Sequence, residues 1–345
     1  MIPRTIPAVQ GHSWQQELTQ MITDPAELVA RLQLEHILGE KALAAAASFP
    51  LRVTESFVSR MRPGDVKDPL LLQALPLILE LDSLQTPETP TEWLRDPLAE
   101  QGFKHAPGLI HKYKSRVLLI ASPQCAINCR YCFRRHFDYA DNSPGREEWQ
   151  KAFSYIAADN SIEEVILSGG DPLTVADKQL QWFINSIENI EHVKRIRIHT
   201  RIPVVLPSRI TERLLKILSN ANQQIIFVVH INHPNEIDTD VAEKLRGLKN
   251  SVDALFNQSV LLNNVNNNIN TLSNLSKKLF SCGVVPYYLH LLDKVQGAAH
   301  FDVARKEAIQ LSQKLRAELP GYMVPLLVEE IPGADSKTPI ICHTG

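Results

Sequence analysis

Three cysteines, Cys125, Cys129 and Cys132, stand in C-x3-C-x2-C spacing in the 345-residue chain. Thiolates so spaced can bind three irons of a cubane [4Fe-4S] cluster and leave the fourth open to a substrate or cofactor. A structural zinc site that recruits His136 competes with this reading, but such sites normally pair two Cys/His hooks across a longer spacer, and no second hook exists here. Downstream, Ser168-Gly169-Gly170-Asp171-Pro172 offers paired glycines that admit close backbone approach and a carboxylate able to receive an ammonium; it is equally an ordinary turn. Arg201, His230, Asn232, His233 and Asn257-Gln258-Ser259 follow or lie in apolar runs and suit either a ligand site or a satisfied polar core. Asp293 and Glu330 are further carboxylates. Lys337 is either a solvated loop lysine or, at a ligand mouth, an amine that can form a Schiff base with pyridoxal phosphate (PLP).

These residues need a frame that gathers them. Apolar strand-like runs at 116–121, 163–168, 195–200, 224–231, 255–262 and 284–292 alternate with amphipathic stretches near 147–158, 177–189, 211–220, 238–248, 268–281 and 301–318. The pattern predicts parallel strands with crossover helices, an α/β chain. Periodicity alone does not separate an open doubly wound sheet from a barrel. Polar residues after nearly every strand favour a partial (β/α)6 TIM-like barrel whose strand-end loops meet at one mouth. Residues 1–110 read as a helical and irregular N-terminal extension: Asp24-Pro25 starts a helical stretch reaching Ser48, and recurrent prolines follow. The basic run Lys104 to Arg116 reads as a solvated approach to the first strand, with Arg116 placed to meet an anion. The expected division is 1–110, a core barrel at 111–333, and a short segment 334–345 carrying Lys337.

The chain has 36 Lys and Arg against 38 Asp and Glu, a balance that argues against an electrostatic nucleic-acid or membrane binder. Three of its five cysteines belong to the loop, which leaves Cys282 and Cys342 as bystanders and suits a reducing compartment. No apolar leader occurs in residues 1–25 and no run approaches a membrane span, so a soluble, cytoplasmic protein is expected.

The cysteine spacing, with Tyr131 before the last thiol, resembles the signature of the radical S-adenosylmethionine (SAM) superfamily. From Asp96 to Pro339 the chain resembles the lysine 2,3-aminomutases of that superfamily. The matching pieces include Asp96-Pro97-Leu98, Pro107-Gly108-Leu109, the Cys-Arg-Tyr-Cys loop with Arg134-Arg135, Ser168 to Leu173, Pro203 to Pro207, His233 to Glu236, Asn257 to Leu262 and Lys337-Thr338-Pro339. Leu289 to Phe301 resembles the branch that supplies (R)-β-lysine for modification of translation elongation factor P.

The resemblance implies a role at each matching position. Cys125, Cys129 and Cys132 would bind the cluster, and Gly169, Gly170 and Asp171 would help seat SAM. Lys337 would carry PLP, with Arg116 at its phosphate and Gln258 as a further cofactor contact. Arg134 would grip the α-carboxylate of L-lysine, and Asp293 and Glu330 would bracket its distal ammonium. Glu330 stands where stand-alone aminomutases have Asp, and the longer C-terminal region of those enzymes has no counterpart after Lys337. Implied partners are a reducing protein such as flavodoxin, a lysyl-tRNA-synthetase-like ligase and elongation factor P. Two other readings stay open: β-lysine made for another metabolic use, and a non-catalytic metal- or cluster-binding accessory protein.

Overall fold

The computed structural model describes residues 13–38, 45–81, 93–138 and 144–340, so Cys342 lies outside the described residues. Ten strands form one sheet in chain order: β1 (Lys104–Ala106), β2 (Leu109–Tyr113), β3 (Arg116–Ser122), β4 (Glu164–Gly169), β5 (Arg195–Thr200), β6 (Gln224–His230), β7 (Ala254–Val260), β8 (Val285–His290), β9 (Leu326–Glu329) and β10 (Thr338–Pro339). Strands β3 to β9 run parallel, while β1, β2 and β10 are antiparallel additions at the two edges. The sheet does not close on itself, and the expected partial barrel is borne out.

Side-chain alternation gives the curved sheet two unlike faces. In β5, Ile196, Ile198 and Thr200 are buried, whereas Arg195, Arg197 and His199 are half-buried on the other face. Ile196 and Ile198 join the main apolar core with Phe183 and Ile184 of the helix Asp177–Glu188. That helix buries Leu180, Phe183, Ile184 and Ile187, an i, i+3, i+4, i+7 stripe. Side-chain caps start the later crossovers. Thr211 accepts from Leu214 N at 3.1 Å, Asp238 from Val241 N at 2.9 Å, and Asn268 from Thr271 N at 2.9 Å. Apolar side chains therefore cement sheet to helices, and the concave face is left for polar groups.

Two expectations on the N-terminal side are corrected. The helix that begins at Pro25 under the Asp24 cap ends at Arg31, well short of Ser48. Gln33 adopts φ 57°, and the Leu34 N–H returns to the Val29 carbonyl at 3.0 Å, so the chain turns and buries Leu32 and Leu34. The basic run is a solvated approach only in part: Lys104–Ala106 and Leu109–Tyr113 pair as the β1–β2 hairpin, turned at Gly108 with φ 71°, while His105 and Lys114 stay exposed and Arg116 opens β3. The charged residues hid this strand pair and placed the Lys112 side chain, only 8% exposed, against Glu330.

Asn257 shows how the sheet fixes a strand end. Its side chain accepts from Ile231 N at 2.9 Å and donates to Ile231 O at 3.1 Å, satisfying backbone just beyond β6. Replacing Asn257 with Leu leaves both buried groups without that partner, and urea denaturation is expected to show a loss of about 1–3 kcal/mol.

Candidate active site

The thiols lie on the loop that follows β3, and this loop is fastened from three sides. Gly170 N donates to Ser122 O at 2.8 Å and Asp171 N to Gln124 O at 2.7 Å, which ties the β4 end to the loop's stem. A side chain at Gly170 would place its first carbon 2.4 Å from the Gln124 carbonyl oxygen. The glycine pair thus admits the neighbouring backbone of Ser122 and Gln124. Arg130, fully buried between Cys129 and Tyr131, points away from the thiols and forms a bidentate pair with Glu80 at 2.8 and 2.6 Å. Arg135 reaches the same carboxylate at 2.7 Å.

Cys125, Cys129 and Cys132 are half-buried free thiols. Burial, then the neighbouring Cys132, pushes the Cys125 thiol up; burial, then Cys129, pushes Cys132 up to about 11. Thiols that hinder one another's ionisation form a site that gains from added positive charge, and bound irons supply it. Among the described residues no three His, Cys, Asp or Glu groups are placed to share one metal ion. A cubane binds each thiolate through a different iron, so it asks for wider spacing than one zinc ion. His136, the candidate zinc partner, has Nε2 3.1 Å from the Gln296 carbonyl oxygen. The donor set fits the cluster.

Around the mouth the next strand ends add their polar groups. The Asp171 carboxylate accepts from Thr200 Oγ1 and Arg201 N, both at 2.7 Å, and from Leu173 N at 3.1 Å, which binds β4 to β5. Burial raises it to about 6 against those hydrogen bonds. Arg201 donates to Cys129 Sγ and to the Tyr131 hydroxyl, each at 2.8 Å, and to Gln73 Oε1 and Glu236 Oε2 at 2.7 and 3.0 Å. His230 lies 2.8 Å from the Tyr131 hydroxyl, and burial followed by Arg201 lowers it to about 3, so it is neutral. Asn232 and His233 are likewise satisfied, by Tyr131 and Gln73 and by Asn235 N respectively. Gln258 lies half-buried on β7, on the face opposite Asn257 and Ser259 and in register with Tyr288.

Arg134 makes a bidentate pair with Glu100 at 2.8 and 2.7 Å, and its Nη1 points toward Ser168 Oγ and Gly169 O at 3.4 and 3.5 Å. On the far strands, Glu330 accepts from Lys112 Nζ at 3.0 Å, Tyr113 hydroxyl at 3.1 Å and Lys337 Nζ at 2.6 Å. Burial alone would raise Glu330, but the Lys337 ammonium, then Lys112, overrides it and holds the carboxyl at about 2. Asp293 has no such cover: burial, then Glu330, lifts it to about 7. Arg116 packs over the Tyr113 ring at 4.4 Å on the same hairpin. His199 Nε2 and Arg197 Nε are buried without partners on β5, and burial, then Arg197, then Lys337, keeps His199 neutral.

Glu80, Glu100, Tyr113 and His199 join the site without having been singled out in the sequence, where Lys112 and Glu236 stood only within the basic run and a matching motif. Each is an ordinary polar residue there, and only strand pairing reveals what it faces. Glu100→Ala removes the bidentate partner of a buried guanidinium. It is expected to lower unfolding free energy by about 3–5 kcal/mol in urea denaturation; a loss under about 1 kcal/mol would class the pair with exposed ion pairs.

Residues 119–265 match the Radical SAM superfamily. Over 97% of its length the chain is 46% identical to the L-lysine 2,3-aminomutase of Escherichia coli K12, covering 96% of that protein. It is 45% identical to the L-lysine 2,3-aminomutase of Haemophilus influenzae over 95% of this chain and 96% of that one. The enzyme of that name from Clostridium subterminale is 35% identical over 96% of this chain and 78% of its own. With its three-thiol loop at the end of the first parallel strand, the chain belongs to the L-lysine 2,3-aminomutase family of radical SAM proteins.

Proposed function

We propose that this chain is a PLP-dependent isomerase that converts L-α-lysine to (R)-β-lysine by moving the 2-amino group to carbon 3. The observation that carries the reading is the meeting, at one strand-end mouth, of three thiols, the Arg134 guanidinium, the Asp293 and Glu330 carboxylates and the Lys337 amine. When bound, the cluster and SAM supply a carbon-centred radical for hydrogen abstraction, and PLP supplies a conjugated ring able to delocalise the rearranging radical. Cys125, Cys129 and Cys132 would hold the cluster, and the β4 end at Gly169, Gly170 and Asp171 would seat SAM. Lys337 would hold PLP, with Arg116, Lys112 and Tyr113 beside its phosphate and Gln258 nearby. The cations Lys112, Arg116 and Lys337 about Glu330, with the buried His199 Nε2 and Arg197 Nε that lack hydrogen-bond partners, suit an anionic, hydrogen-bonding ligand.

The chain's own residues then explain the choice of substrate. Arg134, oriented by Glu100 and with Nη1 turned toward Ser168 and Gly169 at the β4 end, would meet a carboxylate there. Asp293 is the carboxylate least covered by cations, so an incoming ammonium relieves its burial most. A second carboxylate at that end, as in glutamate, would meet like charge. Positioning carbon 3 and keeping water from a radical would fall to the groups that line the mouth.

The stretch Leu289 to Phe301 supports assigning the product to modification of elongation factor P, with a lysyl-tRNA-synthetase-like ligase and a flavodoxin-type reductant as functional partners in the cytoplasm. Among the described residues no helix is long and apolar enough to cross a membrane. The division at 1–110, 111–333 and 334–345 is proposed as collar, core and cofactor-lysine segment.

Anaerobic reconstitution with iron, sulfide, PLP, SAM and a reductant, followed by chiral analysis of products from L-lysine, tests the reading. (R)-β-lysine with 5′-deoxyadenosine is expected; (S)-β-lysine would favour another metabolic use, and no β-lysine from a loaded protein would overturn the substrate. Lys337→Ala is expected to lose the PLP absorbance and all β-lysine formation while the cluster loads normally; retained product would remove Lys337 from the role.

Ammonium binding at Asp293 requires the ionised carboxylate, whose folded value is about 7. Lysine affinity is therefore expected to strengthen as pH rises toward 7 and to level off above it, with about a tenfold loss per unit well below. Asp293→Asn should bind lysine weakly and lack that limb. An unchanged pH profile in this variant would remove the assignment.

A further inference from the structure

We infer that Arg201 and Glu236 set the electron affinity of the cluster through Cys129, a role that rests on the reading of Cys129 as an iron ligand. The Arg201 guanidinium donates directly to a thiol of the loop, at 2.8 Å to Cys129 Sγ. It is 6% exposed, and Glu236, 3.0 Å away on the side remote from the sulfur, is fully buried. Glu236 is itself held rigidly, accepting from Asn232 N and His233 N at 3.0 Å and from Gln73 Nε2 at 3.2 Å. Nη1 also donates to the Tyr131 hydroxyl and Nη2 to Gln73 Oε1, so Arg201 cannot swing away without breaking several buried bonds. Thiol, guanidinium and carboxylate thus form a fixed dipole whose positive end touches the sulfur.

Adding one electron from an external donor makes a thiolate-bound cluster more negative. A cationic N–H donor at a ligand sulfur stabilises that reduced form, and a carboxylate behind the donor partly cancels the effect. In a site shielded from water such charges act strongly. Arg201 therefore makes the cluster easier to reduce, and Glu236 restrains it. A tie that merely held the fold would give no reason for the two residues to act in opposite senses.

Potentiometric titration of the reconstituted protein, followed by the electron paramagnetic resonance of the reduced cluster, reads this directly once iron and sulfide contents are matched. Arg201→Gln is expected to lower the reduced-to-oxidised ratio at a fixed potential by about tenfold, a 59 mV fall for a one-electron couple. Glu236→Gln, which keeps the shape, is expected to raise that ratio severalfold, and Arg201→Lys to stay near the parent. Unchanged midpoints in both Gln variants, or shifts of the same sign, would overturn the inference. If Arg201→Gln does not load a cluster, Glu236→Gln decides: no upward shift there overturns it. A parent protein that holds no cluster would overturn the ligand reading itself.

Discussion

A guanidinium taken out of water must meet a carboxylate, and this requirement organises the molecule. Arg130 and Arg135 share Glu80, Arg134 takes Glu100, and Arg201 takes Glu236. Removing one partner of such a pair strands a desolvated charge, so each pair acts as an obligatory joint. Three of these arginines flank the thiols within one short loop, and their two acids come from residues ahead of the parallel strands. The N-terminal extension is therefore part of the site's electrostatics and not only its cover. The contacts of Asn128 N with Arg52 O at 2.9 Å and Arg130 N with Gln73 O at 3.0 Å fix the loop backbone to the same extension.

The barrel separates two kinds of work by strand alternation. Apolar side chains on the convex face pack against helices, and the concave face keeps charged groups that a filled barrel would replace with Val, Ile and Leu. Arg197 pairs with Glu164 across neighbouring strands, and beyond it stand His199 and the open mouth. Desolvation there splits similar groups into different states. Glu330, beside two ammoniums, is firmly ionised, while Asp293, beside Glu330, lies near neutrality. Two neighbouring carboxylates thus differ in their readiness to accept a cation.

Much of this was legible in the sequence because it depends on local pattern. The six strand runs from 116 to 292 coincide with β3 to β8 within a few residues, since each carries enough apolar alternation to mark itself. The thiol spacing, the Gly169-Gly170 pair and the resemblance of Lys337-Thr338-Pro339 to a known motif were equally visible. The short edge strands were not: β1, β2 and β10 are two to five residues long and rich in charge or proline, and pairing partners alone make them strands. Glu80 and Glu100 escaped notice, and Glu236 stood only inside a matching motif, for a related reason. An acid's burial is set by what folds over it, and nothing in its neighbours along the chain reports that. Arg201 was visible as a strand-end residue, but its contact with Cys129 spans 72 positions of chain.

Sequential strand order has a consequence for how the site comes into being. Every strand pairs with the one made just before it, so the sheet can grow in the order of synthesis without waiting for distant partners. Gln73, Glu80, Glu100, the thiol loop, Arg201 and Glu236 are all in hand once β6 and its exit loop have been added. Asp293 arrives only after β8, and Glu330 and Lys337 with the β9–β10 hairpin, which closes with Ile340 N on Leu327 O at 2.9 Å. The half of the mouth that carries the thiols is thus finished before the half that carries Asp293, Glu330 and Lys337 exists, and the two halves can mature as successive events on one growing chain.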